Sequence, residues 1–334
     1  MRRWWRIWIA GAILAAAPAG VLAASCVTQA ELTPQQRDEL AAAGQEIAQA
    51  IVQQDFNTLH GAMLPALQGQ WDGIRAAVAG GAPLVKGGQA QLRSLYLLDS
   101  SSVKAPADTE FFCSNATGSL TVTISMHALP PGKYAVVLAD AIGAPLGGQM
   151  GIILVRDDSS TPAAWKLGGV TLRQGAIDGH DGVWYWQRAR TQAASNEQWS
   201  AWYSYAMARY LLLPVDFISS PNLDKLNLEQ SQIKDGPSNA FPMTVTSGER
   251  SWKVSSLQLD TTLREADLRV TYESLGIVDP AAMRTEAVAV LGAMLKARPE
   301  LRNNFHGLWA YASKDGKLTP VIELPMAQIP QQTQ

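Results

Sequence analysis

The most polar cluster in this chain with side chains capable of acid–base chemistry is the loop Asp178-Gly179-His180-Asp181-Gly182. It sets an imidazole between two carboxylates, and the ring of the nearby Trp184 can stack on a sugar or another ring. The predicted ligand or partner site comprises Asp178, His180, Asp181 and Trp184. Turn chemistry offers a simpler interpretation, because Gly and Asp favour turns and Asp181 can cap the helix that follows. We favour the turn interpretation, which leaves only His180 unexplained.

The remaining candidates for catalysis or metal binding are weak. The four histidines are His60, His127, His180 and His306. None has a second histidine, a cysteine or a carboxylate at ligand spacing on its own element, so we predict no metal site. The serine–lysine spacing at 101–104 lies in a polar, proline-bounded stretch, and we interpret it as chance. No nucleotide-binding glycine motif and no nucleophile elbow occurs, so we predict no catalytic residue and no cofactor.

Aromatic residues are concentrated between Val183 and Tyr210. The rings in this segment are Trp184, Tyr185, Trp186, Trp199, Trp202, Tyr203, Tyr205 and Tyr210. A break near Ser195-Asn196 predicts two antiparallel helices. Rings at helical spacing more often fill a core than form a binding surface, so we expect Trp199 and Trp202 to be buried. We leave the role of Trp184 open.

Small and aromatic residues of this segment resemble those of a tetratricopeptide-type hairpin. The matching positions are Ala189, Ala201, Tyr205 and Ala208, with Pro214 after them. One copy is fewer than such repeats need for stability. We therefore expect an isolated helical hairpin that is docked on a neighbouring domain.

Two kinds of periodicity precede this hairpin. Residues 32–67 have helical spacing behind the capping box Thr33-Pro34-Gln35-Gln36, and a shorter helix is expected at 71–78. Alternation at 120–126 predicts a strand, which Pro130-Pro131-Gly132 turns into a returning strand at 134–139. A second hairpin joins 151–155 to 165–167, and the glycines at 168–169 predict a β-bulge.

This order of helices and hairpins resembles the nuclear-transport-factor-two-like, or cystatin-like, α+β cone. The resemblance covers about residues 33–173 and rests on element order, the 52–56 ending of the long helix and the bulged strand of Trp165. It implies a fold that hosts isomerases and dehydratases as well as non-catalytic binding modules. The apolar residues expected to face inward are Leu120, Val122, Ile124 and Met126. A face without acid–base residues argues against catalysis.

The C-terminal part follows an Asn-, Ser- and Pro-rich stretch at 213–242, which we interpret as a linker. Its expected strands are 252–259, 268–272, 307–312 and 319–324. A helix lies between the second and third strands, because Asp279-Pro280 caps and starts it and Pro299 stops it. The last two strands meet at a tight turn over 314–317.

These segments predict an α+β fold, with a curved antiparallel sheet and N-terminal helices, a helical hairpin, and a small C-terminal ββαββ domain. The predicted divisions are the signal peptide at 1–25, the cystatin-like cone domain at 30–175, the aromatic-rich hairpin and linker at 176–240, and the C-terminal α+β domain at 241–326.

The first 26 residues have the three sections of a bacterial-type secretory signal peptide. These are the positive Arg2, Arg3 and Arg6, the apolar stretch 7–17, and the small-residue zone 21–26. The apolar stretch is too short and too interrupted by glycine and proline for a membrane span. We predict export to the periplasm or outer membrane, with a mature chain that starts between Ala24 and Cys26.

The sequence contains two cysteines, Cys26 and Cys113. The stretch ending at Cys26 resembles the lipobox of bacterial lipoproteins, with Leu22 one position earlier than the usual leucine. The resemblance implies a diacylglyceryl group on the Cys26 thiol and a lipid anchor in the membrane. The alternative is cleavage after Ala23, which leaves Cys26 free to pair with Cys113 in an oxidising compartment. We favour the lipoprotein and keep the disulfide as its alternative.

The bulk composition limits the possible functions. The 334 residues are 47% hydrophobic and 17% charged, which is typical of globular proteins with a buried core. Removing three signal arginines leaves 24 basic and 29 acidic residues, a net charge of −5. Such a chain, without a basic stripe, is a poor binder of nucleic acid, so we predict no nucleic-acid partner.

We therefore expect an exported cell-envelope protein that is non-catalytic and binds an envelope protein or a small ligand. Two alternatives stay open. One is a small-molecule enzyme of the isomerase or hydrolase kind that uses the apolar pocket of the cone. The other is a structural module of an envelope assembly.

Overall fold

The computed structural model describes residues 24–115, 117–118, 121–276 and 279–331, and it has a mixed α+β fold as predicted. The signal sections upstream of residue 24 and the predicted inward residue Leu120 lie outside the described residues. No helix among the described residues is long and apolar enough to cross a membrane.

The described helices, in chain order, are α1 (Pro34–Gln53), α2 (Phe56–Ala62), α3 (Trp71–Val85), α4 (Gly182–Ala194), α5 (Gln198–Leu212), α6 (Pro221–Ser231) and α7 (Pro280–Ala297). The strands are β1 (Ser25–Thr28), β2 (Gln89–Asp99), β3 (Ala107–Ser114), β4 (Thr121–Leu129), β5 (Lys133–Ile142), β6 (Gly148–Asp157), β7 (Ala164–Gln174), β8 (Ala176–Ile177), β9 (His180–Asp181), β10 (Ile218–Ser219), β11 (Met243–Ser247), β12 (Arg250–Asp260), β13 (Asp267–Glu273), β14 (Gly307–Lys314) and β15 (Lys317–Pro325).

The start of the first helix is predicted correctly, but its continuity is not. Thr33 and Gln36 form the expected capping box. The helix stops at Gln54, whose left-handed backbone (φ 57°) ends α1, and Asp55 caps α2 by accepting the backbone N–H of Thr58. The predicted helix over 32–67 is therefore two helices, because an aspartate cap restarts the chain.

The first half of the chain is built in three layers. The antiparallel sheet β1-β2-β5-β6-β7 lies in the middle. One face packs on α1 and α3, where Leu40 contributes to a core with Val137 of the sheet. The other face packs on the small sheet β10-β4-β3, with Val136 and Ile124 in a shared core. The β6–β7 hairpin has the register shift predicted at the glycine pair.

The strand β4 does not form a hairpin with β5. It pairs with β3 and β10, whereas β5 pairs with β2 and β6. The turn at Pro130-Pro131-Gly132 instead carries the chain from one sheet to the other. The apolar face of β4, with Val122, Ile124 and Met126, is buried between the two sheets. Val122 of this face also lines the groove that is described in the next subsection.

A disulfide joins the two sheets. Cys26 of β1 is bonded to Cys113 of β3, with a Cα–Cα distance of 5.0 Å. One sulfur atom cannot carry both a disulfide and an acyl chain. The structure therefore contains the disulfide, whereas the sequence favours a lipidated Cys26.

The second half of the chain surrounds the sheet β11-β12-β13-β14-β15. Its order contains the predicted strand–strand–helix–strand–strand series, preceded by β11. The strands β13 and β14 are parallel because α7 crosses between them. The hairpin α4–α5 shares one hydrophobic core with this sheet and α7, so it is docked on the C-terminal part of the chain.

The segment at 213–242 contains structure that we did not predict. It includes the strand β10 and the helix α6. Ser220 caps α6 by accepting the backbone N–H of Leu223, and Pro221 takes the first helical position. Ser followed by Pro is a helix start signal, and the surrounding polar residues obscured it.

Candidate functional site

The two carboxylates of the predicted loop site serve the backbone. Asp181 accepts the N–H of Trp184 at 2.8 Å and caps α4. Asp178, which has a positive φ of 51°, accepts the N–H of Ala266 at 3.2 Å and so ties the loop to the start of β13. The turn interpretation therefore explains both aspartates.

The imidazole of His180 lies flat on the indole of Trp184, with 3.6 Å between ring centroids and an interplanar angle of 3°. The guanidinium of Arg188 lies 5.0 Å from the same indole ring. Trp184 is thus engaged by His180 of β9 and by Arg188 of its own helix. A ligand or partner site at Asp178, His180, Asp181 and Trp184 stays a prediction.

Two other histidines make ordinary contacts. His60 meets the ring of Trp71 edge-on at 4.9 Å. His127 lies on the surface with its Nδ1 atom 3.4 Å from a carboxylate oxygen of Asp108. His60 and Trp71 also line a shallow surface pocket with Phe56.

A groove of about 760 Å³ runs between the central sheet, at β2 and β5, and the helices α4 and α6. Its apolar lining includes Tyr96, Val122, Leu138, Ile142, Val183, Trp186, Leu211, Leu212, Ile218 and Leu223. Two of these, Ile142 and Val183, are 53% and 48% exposed, which is unusual for large apolar side chains. Asp181 of the predicted loop also lines the groove.

One side of the groove is polar. Arg93 donates to Asp140 and to the side-chain oxygen of Gln149, both at 3.1 Å. The buried Gln149 donates in turn to the carbonyl oxygen of Leu211 at 2.7 Å, which links the sheet to the end of α5. Burial raises the pKa of Asp140, and the charge of Arg93 opposes this effect. The groove therefore offers a long apolar wall and one charged, hydrogen-bonding end.

A second cluster of polar side chains lies at the start of the parallel strand pair. Asp267 of β13 is opposite Gly307 of β14, which brings His306 next to it. The Nδ1 atom of His306 is 2.8 Å from Glu265 and 3.0 Å from Asp267. Ligand atoms from these three residues all lie within 4.8 Å of one another. Among the described residues, this is the one group of three or more such side chains that is close enough to hold a metal ion.

A third acid belongs to the same cluster. Glu323 of β15 lies across from Trp309, whose indole N–H donates to Asp267 at 3.1 Å. The Oε1 atom of Glu323 is buried and has no hydrogen-bond partner among the described residues. A Cβ atom on Gly307 would lie 2.9 Å from Oε1 of Glu323 and 3.0 Å from Oδ1 of Asp267. A larger residue at position 307 would therefore displace these carboxylates.

The charges of this cluster act on each other. Burial alone would lower the pKa of His306, but the hydrogen bond and charge of Asp267, with the charges of Glu265 and Glu323, raise it. Burial raises the pKa of Glu323, and the negative charge of Asp267 raises it further. The site therefore contains more negative charge than its one imidazole can balance.

This cluster is absent from the sequence-based prediction, because that prediction considers ligand spacing on a single element. Glu265 and Asp267 precede and begin β13, whereas His306 comes about forty residues later. The available signal was a pair of acids two residues apart at the start of one strand, Glu265 and Asp267, together with His306 just before the parallel strand. It depends on knowing that α7 makes those strands parallel.

Comparisons with protein-family models, curated proteins and solved structures found no match for the chain. Its function is therefore inferred from its own residues and their geometry.

Proposed function

We propose that this chain is an exported, non-catalytic cell-envelope protein that binds a small amphipathic ligand in the groove between the central sheet and the helices α4 and α6. The observation that carries the proposal is the combination of apolar walls with the polar end formed by Arg93, Asp140 and Gln149. A ligand with an apolar body and one anionic or hydrogen-bonding end is complementary to it.

Export rests on the sequence of the first 25 residues and on the disulfide. Structural disulfides persist in oxidising compartments such as the periplasm. The Cys26–Cys113 bond is compatible with that location. We propose the periplasm, or the periplasmic face of the outer membrane, as the place where the ligand is met.

We also propose that residues 33–173 form a cystatin-like cone. The long helix α1 packs across an antiparallel sheet that contains β2, β5, β6 and β7, and β7 is bulged at the glycine pair. These features support the resemblance. The second sheet β10-β4-β3 is an additional layer on the outer face.

The binding proposal is tested with 8-anilinonaphthalene-1-sulfonate, which has an apolar body and one anionic end. We expect Val183→Glu and Ile142→Glu to weaken its binding at least tenfold, because a charge would be placed on the groove wall. Both side chains are exposed, so the folded state should tolerate the substitutions.

Leu263→Glu is the matched control, since Leu263 is similarly exposed but does not line the groove. Unchanged affinity in Leu263→Glu and reduced affinity in the two groove variants would support the proposal. Equal affinity in all three variants and the wild type would contradict it.

A further inference from the structure

We propose that Glu265, Asp267 and His306, beside the buried carboxylate oxygen of Glu323, form a binding site for a divalent transition-metal ion, with Zn²⁺ or Mn²⁺ as the matching chemistry. This inference is independent of the proposed function, since the groove is built from other residues.

The first support is the geometry around His306. Its Nδ1 atom is 2.8 Å from one carboxylate oxygen and 3.0 Å from another. A single N–H proton on that nitrogen has to be divided between the two acceptors. Ligands that bind one metal ion at about 2.0–2.2 Å lie roughly 3 Å apart, so an ion in place of the proton would bind all three atoms.

The second support is the buried charge. The Asp267 side chain is 1% exposed, and the Oε1 atom of Glu323 is buried with no hydrogen-bond partner in the described part of the chain. Three carboxylates around one imidazole stay net negative even when the imidazole is protonated. Buried charges are normally paired or bound to a metal, and a divalent cation supplies the missing positive charge.

The third support is the arrangement of the surrounding groups. The indole N–H of Trp309 holds the second oxygen of Asp267, as partners of metal ligands commonly do. The side chains of Glu265 and His306 are 41% and 35% exposed, so an ion can enter from solvent. One imidazole with several carboxylates suits Zn²⁺ or Mn²⁺, whereas Mg²⁺ prefers oxygen ligands alone.

The test is calorimetric titration of the chelator-treated full chain with ZnCl₂ and, separately, MnCl₂. We expect one ion per chain for at least one of the two metals. Glu265→Gln should weaken this binding at least tenfold, and His306→Gln should abolish it. Because Glu265 is half-exposed, Glu265→Gln keeps the test valid if His306→Gln fails to fold.

His127→Gln is the matched control, because His127 is also paired with an aspartate but lies on an exposed surface without further acids. Its affinity for the metal should equal that of the wild type. The proposal is overturned if neither metal binds saturably at one ion per chain. It is equally overturned if Glu265→Gln and His306→Gln bind as well as the wild type, which would leave an imidazolium ion pair as the role of the cluster.

Discussion

Glu229 on α6 shows how one residue connects three helices. Both of its carboxylate oxygens accept hydrogen bonds from Arg190 at 2.8 Å. It also accepts the indole N–H of Trp186 at 2.7 Å and the hydroxyl of Tyr205 at 3.3 Å. The hydrogen bond from Arg190 is the largest cause that lowers the pKa of Glu229, to about 2.

A carboxylate with a depressed pKa stabilises the folded state above its unfolded pKa, and this contribution is lost as the pH falls towards the folded value. We expect Glu229→Gln to lower the free energy of unfolding by roughly 2–3 kcal/mol at pH 7. The difference from the wild type should shrink as the pH falls from about 5 to 2. Chemical denaturation over this pH range measures it.

Glu273→Gln is the control for Glu229→Gln. Glu273 pairs with Lys253 at 2.9 Å, but both side chains are more than half exposed. A surface pair of this kind contributes little, so the variant should stay within about 0.5 kcal/mol of the wild type. If the two variants behaved alike, the connecting role of Glu229 would be refuted.

Single residues were predictable where their role is local. The type and position of Asp181 before an aromatic helix indicated a cap, and that is its role. The Glu265, Asp267 and His306 cluster was missed because its formation depends on two parallel strands. A helix cap can be predicted from a few neighbouring residues, whereas the register between strands that are distant in sequence cannot.

Among the elements, α5 is buried on most of its surface, and Arg209 is its one exposed residue. Trp199 is 2% exposed, lies under the guanidinium of Arg298 at 4.3 Å and meets the ring of Phe241 edge-on. The expectation of a core position is confirmed for Trp199. Trp202 is half-buried and packs against the same core.

Trp199→Ala should lower the free energy of unfolding by about 3–5 kcal/mol, because it removes a large buried ring and leaves a cavity. Trp184→Ala should cost less, since that ring is only partly buried against the core. Thermal and chemical unfolding of the two variants compare them. A Trp199→Ala protein with an unaltered melting temperature would show that α5 is not packed as described.

Elements with strong start and stop signals were predictable. The helix α7 begins after the Asp279 cap, and the turn between β14 and β15 takes positive φ at Asp315 and Gly316, as a tight hairpin requires. The partner of β4 was not predictable. Alternation identifies which face of a strand is buried, but either neighbouring sheet can bury it.

At the scale of the whole molecule, the Cys26–Cys113 bond closes a loop with a sequence separation of 87 residues. A cross-link over such a loop stabilises by about 4 kcal/mol in the chain-entropy model. We expect reductant to lower the midpoint of denaturant unfolding of the wild type. The Cys26→Ala variant should match the reduced wild type and be insensitive to reductant. An oxidised wild type no more stable than the variant would contradict this expectation.

The export hypothesis predicts the mass of the mature chain. Protein isolated from the native envelope should begin between Ala24 and Cys26, because the small residues of the cleavage zone lie there. Intact-mass measurement decides the start, and an added diacylglyceryl mass would support the lipoprotein prediction over its disulfide alternative. Cytoplasmic protein that retains residues 1–23 would refute export.

The strand β1 also constrains the order of events during maturation. Ser25, its first residue, is already paired with Asp99, and the next residue is bonded to another sheet. A signal peptidase needs an extended, accessible chain at its cleavage point. If the leader is removed near residue 25, cleavage must therefore occur before β1 joins the sheet. A precursor that folded and formed the disulfide first would bury its own cleavage site. Slow pairing of β1 with β2 would therefore favour complete removal of the leader.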